Sequence, residues 1–171
     1  MFQRTLRRFT SRTGSGLSHV DGSGKASMVN VSAKPAKHRT AKAQALVRFS
    51  TGEAFAALEG NALAKGDVLA VAKLAGINAA KQTGLLVPLA HPLQLTHIDF
   101  AFELRPSAHS VAITCAVECV ERTGVEVEAV MGASVAAVTV FDMCKAVDKA
   151  IVIEHIKVLQ KTGGKSDYTH Y

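Results

Sequence analysis

The sequence is poor in aromatic residues and in cysteine. Among 171 residues there is no tryptophan, and there are two tyrosines and three cysteines. Proteins that bind single-stranded nucleic acids stack the bases on exposed aromatic rings set among basic residues. No such alternation occurs here, so that class of binder is excluded. Cys115, Cys119 and Cys144 match no zinc or redox spacing, which favours packed, reduced thiols in an intracellular protein.

Acidic residues are almost absent from the first third of the chain. Asp21 is the only one among positions 1–50, which hold half of the 20 lysines and arginines. The net charge of +6 therefore comes from this segment, and the remainder is slightly acidic. That distribution argues against a general nucleic-acid surface. No secretory signal and no hydrophobic run of membrane-spanning length is apparent, so neither a nucleic acid nor a membrane is expected as a partner.

The first 16 residues are basic, contain serine and threonine, and lack acids. This composition is typical of a mitochondrial presequence. The alternative is a disordered basic arm or a remnant of cloning. The expected location is the mitochondrial matrix in the first case and the cytoplasm in the second. Residues 17–167 are predicted to form a single domain, followed by a polar tail at 168–171.

The segment 124–149 predicts one long helix of about seven turns. Thr123 is expected to be its N-cap, with Glu126 completing a capping box. No charged residue occurs between positions 129 and 141, so the helix must be covered on several sides. Asp142 and Lys145 then follow three residues apart, on one face. They are either part of a solvated last turn or a functional pair.

Alternating hydrophobic and polar residues predict strands at 28–32, 39–50, 98–104, 111–119 and 151–161. Helices are predicted at 52–60 and 65–83, and two prolines exclude segment 87–92 from a helix interior. Without the first strand and the short helix, the order is strand, helix, strand, strand, helix, strand. The predicted fold is α+β, a ferredoxin-like (split βαβ) antiparallel sheet with helices on one face. The remaining apolar surface of the long helix points to an oligomer.

Three polar features can carry chemistry, and each has a structural alternative. Lys65 lies at a predicted helix start, where a cation is unfavourable unless it binds an anionic ligand; the alternative is a solvated lysine. His91 lies between two prolines and is either an acid–base group or a structural histidine. The glycine pair 163–164, between Lys161 and Lys165, suits a phosphate-binding loop or a flexible tail. No residue near His91 has metal-ligand spacing, so no metal site is expected.

Taken together, these segments resemble the cyclic pyranopterin monophosphate synthases of molybdenum cofactor biosynthesis, the MoaC type. The resemblance runs in unbroken order from about Leu17 to Asp167. It rests on short motifs at 28–32 with Lys34, 65–67, 75–77, 88–92, 123–128, 141–146 and 161–165. Four departures stand out. The family usually has Cys at Ala90, Met at Val127, Tyr at Phe141, and Thr-Ala in place of Met131-Gly132. A glycine inside a helix should cost about 1 kcal/mol of propensity.

The resemblance implies a lyase that converts (8S)-3′,8-cyclo-7,8-dihydroguanosine 5′-triphosphate to cyclic pyranopterin monophosphate and diphosphate. It implies a homohexamer with sites between subunits and no cofactor, with Mg²⁺ entering only with the substrate triphosphate. Asp142, Lys145 and Lys65 are the implied catalytic residues. The implied substrate-binding residues are Leu89, Ala90, His91, Glu126, Val127, Glu128, Arg39, Lys161 and Lys165. The alternative function is a non-catalytic oligomeric binder of a nucleotide or another phosphorylated metabolite, in which the same lysines form an anion clamp.

Overall fold

The computed structural model describes residues 19–20 and 23–170. It divides the chain into two compact units, Met1–Asn30 and Val31–Tyr171. In the described part of the first unit, Val20 and Ala26 form an isolated antiparallel bridge. The strand predicted at 28–32 is wrong. Lys34 N donates to Val31 O over 3.0 Å, so the chain turns here instead of extending. The basic segment 1–16 lies outside the described residues.

The second unit is built on one antiparallel sheet. Its strands are β1 (Lys37–Arg48), β2 (Leu95–Arg105), β3 (Ser110–Glu121), β4 (Val152–Thr162) and β5 (Tyr168–Thr169), in the order β2-β3-β1-β4-β5. Every neighbouring pair is antiparallel. The predicted α+β class is confirmed, and β1 lies between β3 and β4, which places its ends beside the ends of both.

In the described part of the chain, four α-helices accompany the sheet: α1 (Gly52–Glu59), α2 (Val68–Lys81), α3 (Thr83–Leu86) and α4 (Glu126–Cys144). A short 3-10 helix, Pro106–Ala108, joins β2 to β3. Asp67 caps α2, since its side chain accepts from Ala70 N over 3.0 Å. The helix predicted to begin at Lys65 therefore begins three residues later. Lys65 instead lies in the turn that precedes the cap, next to Gly66, whose φ of +88° favours glycine.

The long helix is shorter than its sequence predicts. It has 19 residues, and its N-cap is Val125, which makes no side-chain capping bond. The predicted capping box is thus wrong, because the Glu126 carboxylate lies 3.0 Å from Lys161 Nζ and not on the backbone of Thr123. By length and composition alone, α4 is long and apolar enough to cross a membrane. Half of it is buried in the structure, and buried core helices meet the same criteria.

The core lies between the sheet and α4. The side chains of β1 and β3 that face the helix are buried, as the alternation predicts: Ala41, Ala43, Ala45, Val47, Val111, Ile113, Cys115, Val117 and Cys119. All three cysteines are free and buried. Burial raises the pKa of Cys115 to about 12 and those of Cys119 and Cys144 to about 11. Since the thiolate is the reactive form, these thiols are packing residues.

Gly76 of α2 and Gly132 of α4 allow the two helices to cross closely. A Cβ on Gly76 would lie 2.8 Å from Gly132 O and 2.4 Å from Phe100 Cζ. A Cβ on Gly132 would lie 2.6 Å from Cys115 Sγ. The glycine that looks unfavourable in the helix sequence is therefore required by packing.

Candidate active site

One group of polar side chains lies at the C-terminal end of α4. Lys145 Nζ donates to Asp142 Oδ1 over 2.6 Å. Lys65 Nζ donates to Asp142 Oδ2 over 3.1 Å and to the main-chain oxygen of Asp142 over 2.8 Å. Lys65, which lies in the turn before α2, therefore contacts the Asp142–Lys145 pair at the end of α4. We call Lys65, Asp142 and Lys145 the carboxylate–lysine cluster.

The cluster is exposed, and its two lysines lower the pKa of Asp142. Each of the three side chains is about half exposed, with relative accessibilities of 47%, 54% and 53% for Lys65, Asp142 and Lys145. Hydrogen bonds from Lys145 and then from Lys65 hold the pKa of Asp142 below its usual value. Asp142 is therefore ionised at neutral pH and orients two ammonium groups, which can bind an anion or exchange protons with it.

A second group lines a cavity of about 560 Å³ at the other end of α4. Glu126 and Lys161 form an ion pair of 3.0 Å across it. Six cationic side chains line this cavity: Lys34, Lys37, Arg39, Arg122, Lys161 and Lys165. The volume suits a nucleotide-sized ligand, and the charge suits phosphate groups. We call it the basic cavity.

Arg39 holds the main chain of two loops that line the basic cavity. Its guanidinium donates to three main-chain oxygens, those of Glu121 (2.8 Å), Arg122 (3.2 Å) and Gly163 (2.9 Å). The residue is only 9% exposed. Gly163 has a φ of +77°, and a Cβ there would lie 2.1 Å from His38 O, so the glycine is required. Arg39 thereby fixes the two loops that carry the cavity's other cations.

A third group surrounds the turn 87–90, which a hydrogen bond from Ala90 N to Val87 O (3.0 Å) closes. Leu89, Ala90 and His91 are each partly exposed. A small cavity of about 90 Å³ follows, lined by Pro92, Leu93, Lys81 and Glu128, among others.

Glu128 has the most perturbed carboxylate of this region. It is only 3% exposed. Burial raises its pKa to about 7, and the nearby Glu126 carboxylate adds to the effect. Val127, next to it, is 42% exposed. Glu128 can therefore change protonation state near neutral pH, unlike Asp142.

Within one chain the structure groups the predicted site residues in three places. It brings Lys65, Asp142 and Lys145 together at one end of α4. It brings Arg39, Glu126, Lys161 and Lys165 together in the basic cavity. The third place is the turn at 89–91 and the small cavity next to it, where Pro92 and Leu93 lie beside Glu128. Val127 precedes Glu128 in α4. The ends of α4 remain apart, because sixteen residues at 1.5 Å each separate Glu126 from Asp142 by about 24 Å.

Sequence reasoning missed some of the cavity's residues. Lys37 and Arg122 line it together with the predicted lysines. Neither belongs to a distinctive motif. Their only sequence signal is the excess of cations before position 50 and beside the glycine-containing turns. Among the described residues, no group of three or more His, Cys, Asp or Glu side chains is arranged to hold a metal ion.

Comparison with known proteins gives consistent matches. The sequence model of the MoaC family matches residues 28–164. A cyclic pyranopterin monophosphate synthase from Geotalea uraniireducens is 51% identical over 148 residues, covering 86% of this chain and 92% of that protein. The synthase from Herpetosiphon aurantiacus is 48% identical, covering 90% and 94%. Human molybdenum cofactor biosynthesis protein 1 is 47% identical over 90% of this chain but only 24% of its own length. The chain belongs to the MoaC family.

Proposed function

We propose that this chain is a cyclic pyranopterin monophosphate synthase. It is a lyase of molybdenum cofactor biosynthesis that converts (8S)-3′,8-cyclo-7,8-dihydroguanosine 5′-triphosphate to cyclic pyranopterin monophosphate and diphosphate. The observation that carries this proposal is the similarity to proteins of that name over nearly their whole length. The clustered lysines and the basic cavity provide groups that such a reaction requires.

The rearrangement needs groups that give and take protons while the rings open and close. Lys65 and Lys145 are the proposed acid–base residues, because both ammonium groups contact the Asp142 carboxylate. Asp142 orients the two lysines and balances their charge. Its own pKa lies too low for it to hold a proton at neutral pH, so the lysines are the groups that transfer protons.

The substrate triphosphate needs cations, and the basic cavity supplies them. Lys161 and Lys165 flank the glycine turn there, and Arg39 holds that turn in place. In the apo state Lys161 is paired with Glu126. A triphosphate carries several negative charges where Glu126 carries one, so we propose that the substrate displaces Glu126 from the Lys161 ammonium. Mg²⁺ would arrive on the triphosphate.

The base-derived end of the substrate is assigned to the turn Leu89–His91 and to Glu126, Val127 and Glu128. A purine-type edge presents both donors and acceptors. The Glu128 carboxyl, with a pKa of about 7, can match either kind of group by gaining or losing its proton. Ala90 carries no polar atom beyond its backbone, so this turn contributes shape and main-chain contacts.

A complete site is proposed to form between subunits of a homohexamer. The cluster and the basic cavity lie at opposite ends of α4, about 24 Å apart by helix rise. A triphosphate nucleotide barely spans that distance. Pairing the Asp142 end of one subunit with the Glu126 end of another brings the two halves together. Exposed apolar residues on α4 and α2, such as Val138 (54% exposed) and Leu74 (65%), would be covered in such an assembly.

Incubation with the cyclic dihydroguanosine triphosphate tests the activity. The expected result is diphosphate release at the same rate as formation of an oxidisable, fluorescent pterin. Both products should appear without any added redox cofactor, and a chelator control shows whether Mg²⁺ is needed. Binding of the substrate without either product would instead identify a non-catalytic nucleotide binder.

The compartment follows from residues 1–16. We propose that their composition directs the chain to the mitochondrial matrix; without such targeting the protein is cytoplasmic. Fusion of these residues to a fluorescent protein provides the test. Import and cleavage by isolated mitochondria would support the presequence, and a fusion that stays outside would assign the cytoplasm.

A further inference from the structure

A second carboxylate follows the cluster at a distance of three residues, and it is buried. Asp148 is 6% exposed. Its Oδ2 accepts from Ser50 N over 2.7 Å, and its Oδ1 accepts from Ser50 Oγ and from Ala150 N, each over 2.8 Å. Burial opposes its ionisation, but the bonds from Ser50 and Ala150 outweigh burial and keep the pKa of Asp148 below its usual value. Its charge is therefore matched by three donors.

Ser50 is a rigid anchor for this carboxylate. The preceding residue, Phe49, is 3% exposed, and its N donates to His109 O over 2.8 Å. Its ring meets that of Phe55 edge-on, with centroids 5.9 Å apart. The following residue, Thr51, caps α1 by accepting from Ala54 N over 3.2 Å. Ser50 is thus held from both sides by the core and by a helix cap.

The segment between Asp148 and α4 carries Lys145. Cys144 is fully buried, whereas residues 145–147 are exposed. Val147 N and Asp148 N both donate to Cys144 O, over 2.9 and 3.2 Å. The exposed turn therefore has a fixed start at Cys144 and a fixed end at Asp148. Lys145 N donates to Phe141 O over 2.8 Å, so α4 holds the backbone at the start of the turn. If Asp148 were released from Ser50, the rest of the turn would be held only by the two bonds to Cys144 O.

We infer that Asp148 is a positioning residue that, through Ser50, holds the Lys145 turn so that Lys145 meets Asp142. This inference rests on the proposed function. Asp148 does not contact the cluster and transfers no proton. The same contact joins the end of the Lys145 turn to the start of α1, and the chain beyond α1 carries Lys65. One buried hydrogen-bonded group thus ties the Lys145 turn to the start of α1.

Three variants test the inference. Asp148→Asn keeps the shape of the side chain, but its amide N–H₂ cannot accept from the Ser50 and Ala150 donors. Ser50→Ala removes one of the three bonds. Asp99→Asn is the matched control, an exposed carboxylate paired with Lys73 over 3.2 Å. We expect kcat of Asp148→Asn to fall on the order of 10²-fold, as for small displacements of catalytic groups. The KM should stay within about threefold, because the substrate-binding cations are untouched. The control should match the parent protein.

Ser50→Ala should lower kcat by a smaller factor. In the Asp148→Asn background it should add little, because both changes break one contact. Hydrogen exchange provides a readout without turnover: the amides of Val147 and Asp148 should exchange faster in Asp148→Asn and not in Asp99→Asn.

A folded Asp148→Asn protein with parental kcat, or with unchanged exchange at these amides, would overturn the positioning role. Should Asp148→Asn fail to fold, Ser50→Ala decides by the same two measurements. An inactive parent protein would reject the proposed function, and the exchange data would still decide whether Asp148 holds the turn.

Discussion

Lys145 is the residue whose replacement distinguishes proton transfer from simple charge. Its ammonium contacts Asp142 Oδ1 over 2.6 Å at an exposed position. Lys145→Ala should lower turnover by about 10²-fold or more, while substrate affinity falls only modestly. Lys145→Arg should fail as well, because a guanidinium keeps its proton at neutral pH. Rapid-quench turnover and equilibrium binding provide the measurements. An active Lys145→Arg protein would show that this position supplies charge alone.

Glu128 gives a pH dependence to folding stability. Its pKa is raised from 4.5 to about 7 in the folded chain by burial. Between these two values the folded state binds more protons than the unfolded state, so stability falls as pH rises. Above about pH 7 the loss is complete, and it amounts to roughly 3 kcal/mol.

Glu128→Gln should remove this loss, since a neutral amide pays no cost of ionisation. The variant's free energy of unfolding, relative to the parent, should therefore increase from pH 5 to pH 8. Denaturant unfolding at both pH values measures it. A constant difference between the two proteins would contradict a titrating Glu128.

At the scale of elements, the packing of α4 against β3 depends on Gly132. Alanine there would gain about 1 kcal/mol of helix propensity. Its Cβ, however, would lie 2.6 Å from Cys115 Sγ, and overpacking of this kind costs about 1–3 kcal/mol. We expect Gly132→Ala to be less stable than the parent in thermal unfolding. Adding Cys115→Ala should recover part of the loss, because the sulfur is the closest atom. A more stable single variant would show that α4 can move away from β3 at no cost.

The elements also show where sequence reasoning succeeds. Strands β1 and β3 alternate buried and exposed residues as their sequences predict, because a side-chain period of two leaves one face for α4. The ends of α2 and α4 were predicted less well. Thr123 and Glu126 fit a capping box locally, yet Glu126 pairs with Lys161, which lies 35 positions away in sequence. A local motif cannot reveal such a distant competitor.

For the whole molecule, the residues of the candidate site could be chosen from sequence motifs, but their grouping could not. Lys65 and Asp142 are 77 positions apart and meet because α2 begins at Val68 and leaves Lys65 in a turn beside the end of α4. The role of Arg39 in holding the loop at Gly163 depends on the pairing of β1 with β3 and β4.

The two ends of α4 lead to a prediction about the assembly. Glu126 belongs to the basic cavity and Asp142 to the cluster, about 24 Å apart along one helix. If one substrate contacts both, they must come from different subunits. Glu126→Ala and Asp142→Ala proteins, each inactive alone, should then regain activity when dissociated and reassembled together.

In a random one-to-one mixture, about a quarter of the shared sites would combine an intact Glu126 end with an intact Asp142 end. Diphosphate release should therefore approach about a quarter of the parental rate, and mixing without prior dissociation should restore nothing. In a site within one subunit, every site would keep one lesion. Reassembled mixtures would then stay inactive even where size measurements confirm that mixed oligomers have formed. That result would disprove the shared site. The expected recovery depends only on which chain supplies each end of the substrate site.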